Sequence, residues 1–108
     1  PTWYGSAPDC GSVCEMLHRA TGRRPRVIGK PQPAMARLAM DKWGYAPAET
    51  VLVGDRLYTD IACGVNAGID TVFVLSGEGT AADLERSQVQ PTWVMADIGE
   101  LHARWAER

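Results

Sequence analysis

Asp55 and Asp60 stand five residues apart in Val51-Leu52-Val53-Gly54-Asp55-Arg56-Leu57-Tyr58-Thr59-Asp60, just beyond a β-branched run. One carboxylate at the end of a strand and a second near the start of the next helix can approach a single point above a sheet. Oxygen-only donors that leave room for water suit Mg²⁺. A purely structural reading competes, because Asp commonly ends strands and caps helices. Lys30, on a separate Gly29-Lys30-Pro31 loop upstream, tips the balance toward chemistry. A fixed ammonium beside a metal site can neutralise a transferring phosphoryl group, although a lone loop lysine is ordinarily just solvated.

These residues need elements that hold them at one end of a sheet. Thr50-Val51-Leu52-Val53 has no polar alternation, as expected of a strand buried on both faces, and Gly54-Asp55 closes it. Leu57, Ile61 and Val65 then mark a helix that stops at Gly68. Thr71-Val72-Phe73-Val74-Leu75 predicts a second strand, and Thr92-Trp93-Val94-Met95 a third. Between them Thr80 to about Arg86 forms a short helix with a T-x-x-D start. Asp97 followed by Glu100 resembles a capping box for a last helix, with Ile98, Leu101 and Trp105 inward. Upstream, Val13, Met16, Leu17 and Ala20 line one face of a helix capped by Asp9, and Thr21-Gly22 ends it. After Pro33, a suitable first helical residue, Met35, Leu38, Ala39 and Trp43 predict another face before Gly44. Strands alternating with helices at this spacing imply an α/β fold, a three-layer, doubly wound parallel sheet of three strands or slightly more with right-handed crossovers.

The whole chain sets limits on function. Its 108 residues, 45% hydrophobic and 22% charged, suit one small globular domain, short for an α/β enzyme, as an incomplete domain would be. Eleven basic and thirteen acidic side chains leave a formal charge of −2, which provides no positive field for nucleic acid or an anionic membrane. No apolar stretch reaches the roughly 20 residues of a bilayer span, and no basic-then-apolar leader opens the sequence. Cys10, Cys14 and Cys63 match neither a disulfide framework nor a paired C-x-x-C zinc site, so a reducing, cytoplasmic setting is expected. A first residue of Pro1 rather than Met hints at a start inside a longer product.

Other constellations are weaker. Gly77-Glu78-Gly79-Thr80-Ala81-Ala82, with Asp97 twenty residues beyond Gly77, formally matches a variant dinucleotide fingerprint, but it follows the second strand rather than the first. Cys10, Cys14 and His18 recur every four residues; a zinc site there lacks a fourth ligand, and burial of the helix explains them better. Arg19, Arg23, Arg24 and Arg26 could steer an anionic substrate, but read more simply as a solvated hinge. Trp43, Trp93 and Trp105 are assigned to the core.

The order and spacing of Thr21-Gly22-Arg23-Arg24-Pro25, Gly29-Lys30-Pro31-Gln32-Pro33, Val51 to Ile61, Gly64 to Gly68 and Val74-Leu75-Ser76-Gly77 resemble the haloacid dehalogenase (HAD) superfamily. Within it the likeness is to the branch of 4-nitrophenylphosphatases and NagD-like nucleotide phosphatases. The resemblance implies hydrolysis of phosphomonoesters of small metabolites, nucleotides or 4-nitrophenyl phosphate, with Mg²⁺ as cofactor. It implies that Lys30 is the lysine of the third family motif and that Asp55 and Asp60 are the acids of the fourth. Asp55 would ligate Mg²⁺ directly, and Asp60 would act through water or by orienting its neighbours. Residues 1–25 would be the end of a substrate-selecting cap and its hinge, and 26–108 the C-terminal part of the HAD Rossmann-like core. Ser76-Gly77 would be a loop on the active-site side.

Members of that family attack phosphate with the first Asp of a D-x-D-x-T segment, and no D-x-D occurs in this sequence. The upstream Ser/Thr loop that holds the phosphoryl group is also missing. Metal and lysine without the attacking carboxylate imply negligible turnover. Two alternatives follow. One is a non-catalytic remnant that associates with other copies through the sheet edge left beside Val51–Val53. The other is a receiver-like phosphoacceptor domain, against which the order argues, since receivers carry their lysine after the acceptor. Formation of a stable adduct at Asp55 with acetyl phosphate would favour the receiver.

Overall fold

The computed structural model of the chain describes residues 2–5 and 7–107, so Pro1, Ser6 and Arg108 lie outside the description. In chain order the elements are α1 (Cys10–Thr21), α2 (Ala34–Trp43), a 3₁₀ turn (Pro47–Glu49), β1 (Val51–Gly54) and a π-helical turn (Leu57–Ile61). They continue through α3 (Ala62–Ala67), β2 (Asp70–Val74), α4 (Ala81–Arg86), β3 (Trp93–Met95) and α5 (Ile98–Ala106). The strands form one parallel sheet in the order β1-β2-β3, with Val53 opposite Val72 and Phe73 opposite Val94.

Local chemistry sets most element ends. Asp9 caps α1 by accepting the Gly11 amide at 3.1 Å, and Thr80 and Asp83 form a reciprocal box that starts α4. At α5 only half of the expected box forms. Asp97 accepts the Glu100 amide at 2.9 Å, but the Glu100 carboxylate takes the Ala96 amide, one residue earlier than the cap, at 2.6 Å. Helices α1, α2 and α3 each end on a glycine with positive φ: Gly22, Gly44 and Gly68. The helix expected from Leu57 begins with a wider turn, in which the Ile61 amide reaches back five residues to the Arg56 carbonyl at 3.1 Å.

Alternation along the strands sorts the layers. Leu52, Thr71 and Phe73 face α3 and α4. Phe73 packs with Leu57, Ile61, Leu84 and Val89, while Leu52 joins Met40, Ala67, Ile69 and Ala36. Helix α3 lies so close to the sheet that a Cβ on Gly64 would fall 2.2 Å from the Thr71 methyl. On the other face, Val51, Val72, Trp93 and Met95 look toward Leu101 and Trp105 of α5 across a cleft of about 430 Å³. Helices therefore flank both faces of a parallel sheet, the expected three-layer α/β architecture.

Burial corrects several expectations. Only β2 is sealed on both sides; β1 is an edge strand, and Val53 is 36% exposed. Helix α2 turns Ala36 and Met40 inward, one i,i+4 pair, and leaves Met35, Leu38 and Trp43 outside. Trp43 and Trp105 are not core residues, being 69% and 64% exposed, and Trp93 is also exposed. Of the three residues assigned to the inner face of α5, only Leu101 is half-buried, while Ile98 and Trp105 remain largely exposed. No residue of α1 is buried, so burial does not account for its cysteines and His18. The common reason is that each apolar stripe needs a partner surface, and among the described residues these stripes are covered only in part or not at all. A radius of gyration of 16.2 Å, against about 13 Å for a compact chain of this length, agrees with α1 reaching away from the sheet.

Candidate active site

Asp55 leaves β1 directly after Gly54, which pairs with Phe73. The parallel register therefore brings the chain after β2 alongside the chain after β1 at the carboxyl end of the sheet. There the segment 77–79 folds onto Asp55. The Glu78 amide donates to Asp55 Oδ2 at 2.8 Å, and the Gly79 amide donates to the Asp55 carbonyl at 2.9 Å. Contact this close needs glycine: a Cβ on Gly77 would sit 2.1 Å from Asp55 Oδ2, and one on Gly79 2.6 Å from the Asp55 carbonyl oxygen. The Glu78 amide is the main cause, with Arg56 and Lys30 adding their field, that the Asp55 carboxyl is held below the usual carboxylate range.

Asp60 is placed by the π-helical turn and by Gly54, against whose α-carbon its side chain lies. It is only 6% exposed, and both of its oxygens are taken. Oδ2 accepts the Arg56 amide at 3.2 Å, and Oδ1 accepts from the Lys30 ammonium. The Lys30 loop is itself pinned to α3. Asn66 Nδ2 donates to the Pro31 carbonyl at 2.9 Å, and the buried Cys63 thiol donates to the Gln32 carbonyl at 3.3 Å. Burial pushes the Cys63 thiol pKa up, so this sulfur stays a protonated donor.

Lys30, Asp55 and Asp60, picked out by residue type and spacing, thus gather at the carboxyl end of β1. The sequence reading gave no role to the residues that surround them. Glu78 bridges Arg56 Nη2 at 2.5 Å and the Tyr58 hydroxyl at 3.1 Å. Its hydrogen bond is the main reason that the Tyr58 phenol is held above its ordinary pKa. Two sequence signals point to this loop: the resemblance, which implies that Ser76-Gly77 lies on the active-site side, and the Gly-x-Gly of 77–79, a formal match to a nucleotide fingerprint whose glycines admit Asp55 and the Phe73 ring instead. Cys10 Sγ and Cys14 Sγ lie 4.0 Å apart on an exposed helix face, remote in the chain from this cluster. Arg19 and Arg24 both pair with Glu15 at the surface.

The donor set fits a magnesium ion that keeps most of its water. Among the described residues no three His, Cys, Asp or Glu side chains converge on one point, so this region offers carboxylates in ones and twos. Asp55 Oδ1 accepts no hydrogen bond from another described residue, whereas Oδ2 is occupied. Mg²⁺ is commonly held by one or two carboxylates, with water and substrate phosphate completing the shell.

Comparison with known proteins agrees in sequence and in shape. Residues 27–101 match the HAD-hydrolase-like family. The ribonucleotide monophosphatase NagD of Escherichia coli K12 is 38% identical over 97 residues, 90% of this chain and 39% of the relative. The structure of a 4-nitrophenylphosphatase from Thermotoga maritima superposes with a TM-score of 0.88 at 41% identity, over 95% of this chain and 40% of that one. A glycerol phosphate phosphatase from Mycobacterium tuberculosis, solved in complex with magnesium, gives a TM-score of 0.85 at 38% identity, over 94% of this chain and 31% of that one. The chain thus spans about two fifths of the length of the first of these relatives. With sequence, strand order and overall shape in agreement, the chain belongs to the HAD-hydrolase-like family, in the branch that holds NagD and the 4-nitrophenylphosphatases.

Proposed function

We propose that these residues form the metal-binding and phosphoryl-facing part of a Mg²⁺-dependent phosphatase that acts on phosphomonoesters of small molecules. The observation that carries the proposal is the Lys30–Asp60 ion pair, set beside Asp55 at the carboxyl end of β1. On this reading 26–108 is the C-terminal part of the catalytic core and 1–25 the end of a cap with its hinge. The relatives' substrates, which are nucleotides, 4-nitrophenyl phosphate and glycerol phosphate by name, suggest a small phosphate monoester. A cytoplasmic setting accords with such substrates, and among the described residues no helix is long and apolar enough to cross a membrane.

Each residue has a distinct task. Asp55 would hold the cation through the oxygen left free while Oδ2 accepts the Glu78 amide. Asp60, with both oxygens engaged, orients the Lys30 ammonium and the Arg56 backbone. Lys30, with its side chain 52% exposed, can face a phosphoryl oxygen while remaining paired. When bound, Mg²⁺ supplies positive charge that offsets the negative charge of the phosphoryl oxygens.

No D-x-D occurs in the sequence, so the attacking carboxylate has no candidate in the family pattern here. The 108 residues alone should hydrolyse 4-nitrophenyl phosphate only at trace level. The test is Mg²⁺ titration by calorimetry with wild type and Asp55→Ala, run beside that assay. Binding lost in Asp55→Ala supports the proposal. Binding that survives sinks it, and robust turnover that Asp55→Ala abolishes would reveal a nucleophile among these residues. A second reading, self-association without catalysis, is favoured by the exposed edge of β1.

A further inference from the structure

Glu78 is tied at both ends to the segment that begins with Asp55. Its backbone amide holds Asp55 Oδ2 at 2.8 Å. Its carboxylate reaches Arg56 Nη2 at 2.5 Å and accepts from the Tyr58 hydroxyl at 3.1 Å. Next to it, the Gly79 amide holds the Asp55 carbonyl at 2.9 Å. The register of β1 and β2 brings this segment beside Asp55, since β2 ends at Val74, three residues before Gly77. The side-chain contacts of Glu78 then tie the segment to Arg56 and Tyr58 and, with the Gly79 amide, hold the Glu78 amide on Asp55.

From this geometry we infer that Glu78 is a positioning residue for the metal-binding carboxylate, clasping the 77–79 loop to Arg56 and Tyr58 so that Asp55 presents only Oδ1. The inference rests on the reading of Asp55 as the magnesium ligand. The clasp has two effects. It restricts the Asp55 side chain, because Oδ2 cannot leave the Glu78 amide without displacing the loop. It also diverts the Arg56 guanidinium, which directly follows Asp55 in sequence, onto Glu78 and away from the carboxylate the cation needs. Outer partners that orient a metal ligand commonly matter for affinity by about tenfold or more.

The experiment uses the full chain with Mg²⁺ alone as the probe, reading the dissociation constant by calorimetry. Amide hydrogen exchange at Glu78 and Gly79 is followed without metal. Glu78→Ala is expected to weaken Mg²⁺ binding about tenfold and to speed exchange at both amides, with little change in melting temperature. Glu78→Gln keeps an acceptor for Tyr58 and Arg56 but drops the charge, and should recover most of the affinity and protection. Tyr58→Phe, which removes one hydrogen bond, should weaken binding by about threefold. It carries the test alongside Glu78→Gln if Glu78→Ala fails to fold.

Unchanged affinity in Glu78→Ala, with binding lost in Asp55→Asn, overturns the clasp and leaves the metal reading standing. Glu78→Gln as weak as Glu78→Ala also overturns it, since plain charge would then explain the loss. Wild-type affinity in Asp55→Asn defeats the metal reading itself, and this inference with it.

Discussion

The Asp60 side chain rests against the α-carbon of Gly54, where an added Cβ would fall 2.2 Å from the Asp60 Cβ. Gly54→Ala must therefore move either the end of β1 or the carboxylate that holds Lys30. Overpacking of this kind costs about 1–3 kcal/mol. Urea denaturation should show that loss together with weaker Mg²⁺ binding. A stable variant with wild-type binding would mean that Asp60 can shift without consequence.

Asp60 is buried, and Lys30 supplies the one cationic partner it has among the described residues. Lys30→Met leaves a buried carboxylate short of a partner, and about 1–3 kcal/mol of stability should be lost. The double variant Lys30→Met/Asp60→Asn should cost less than the sum of the two single changes, since the second removes the stranded charge. Strict additivity in denaturation would show that the pair is not coupled.

Asp83 and Glu100 have carboxyl pKa values lowered in the folded chain, chiefly by the Thr80 hydroxyl for Asp83 and by the Ala96 amide, then Arg104, for Glu100. A pKa depressed by folding contributes stability that is fully present above the unfolded value, about 4 for these groups. That contribution disappears as the pH falls through the folded value. The melting temperature should therefore drop on acidification below about pH 4. The deficit of Glu100→Gln relative to wild type should shrink over the same range. A deficit independent of pH would assign the role of Glu100 to packing.

Among the described residues no strand pairs with the outer edge of β1, beside the partly exposed Val53. Such edges pair with other strands unless charge or proline blocks them. A polypeptide of these 108 residues should therefore scatter light as a dimer or larger species at micromolar concentration, and Val53→Lys should shift it toward the single-chain mass of 11.7 kDa. A wild-type chain that is already monomeric would remove self-association from consideration.

Much of this protein could be read from residues and spacing. The three strands, the helix stops at Gly22, Gly44 and Gly68, and the caps at Asp9 and Thr80 depend on neighbours a few positions away. The placement of Asp55, Asp60 and Lys30 at one end of the sheet was legible too, because the carboxyl ends of parallel strands collect such groups. Tertiary structure alone decided which apolar faces are covered. Val13, Leu38 and Trp105 have the periodicity of core residues, yet burial depends on a second surface being present, and a stripe of side chains carries no record of one. The same holds for Glu78, whose contacts lie twenty and more positions away and exist because two parallel strands end side by side. Local order is set by nearest neighbours in the chain, whereas the partners of Asp55 and Asp60 are set by the register of the sheet.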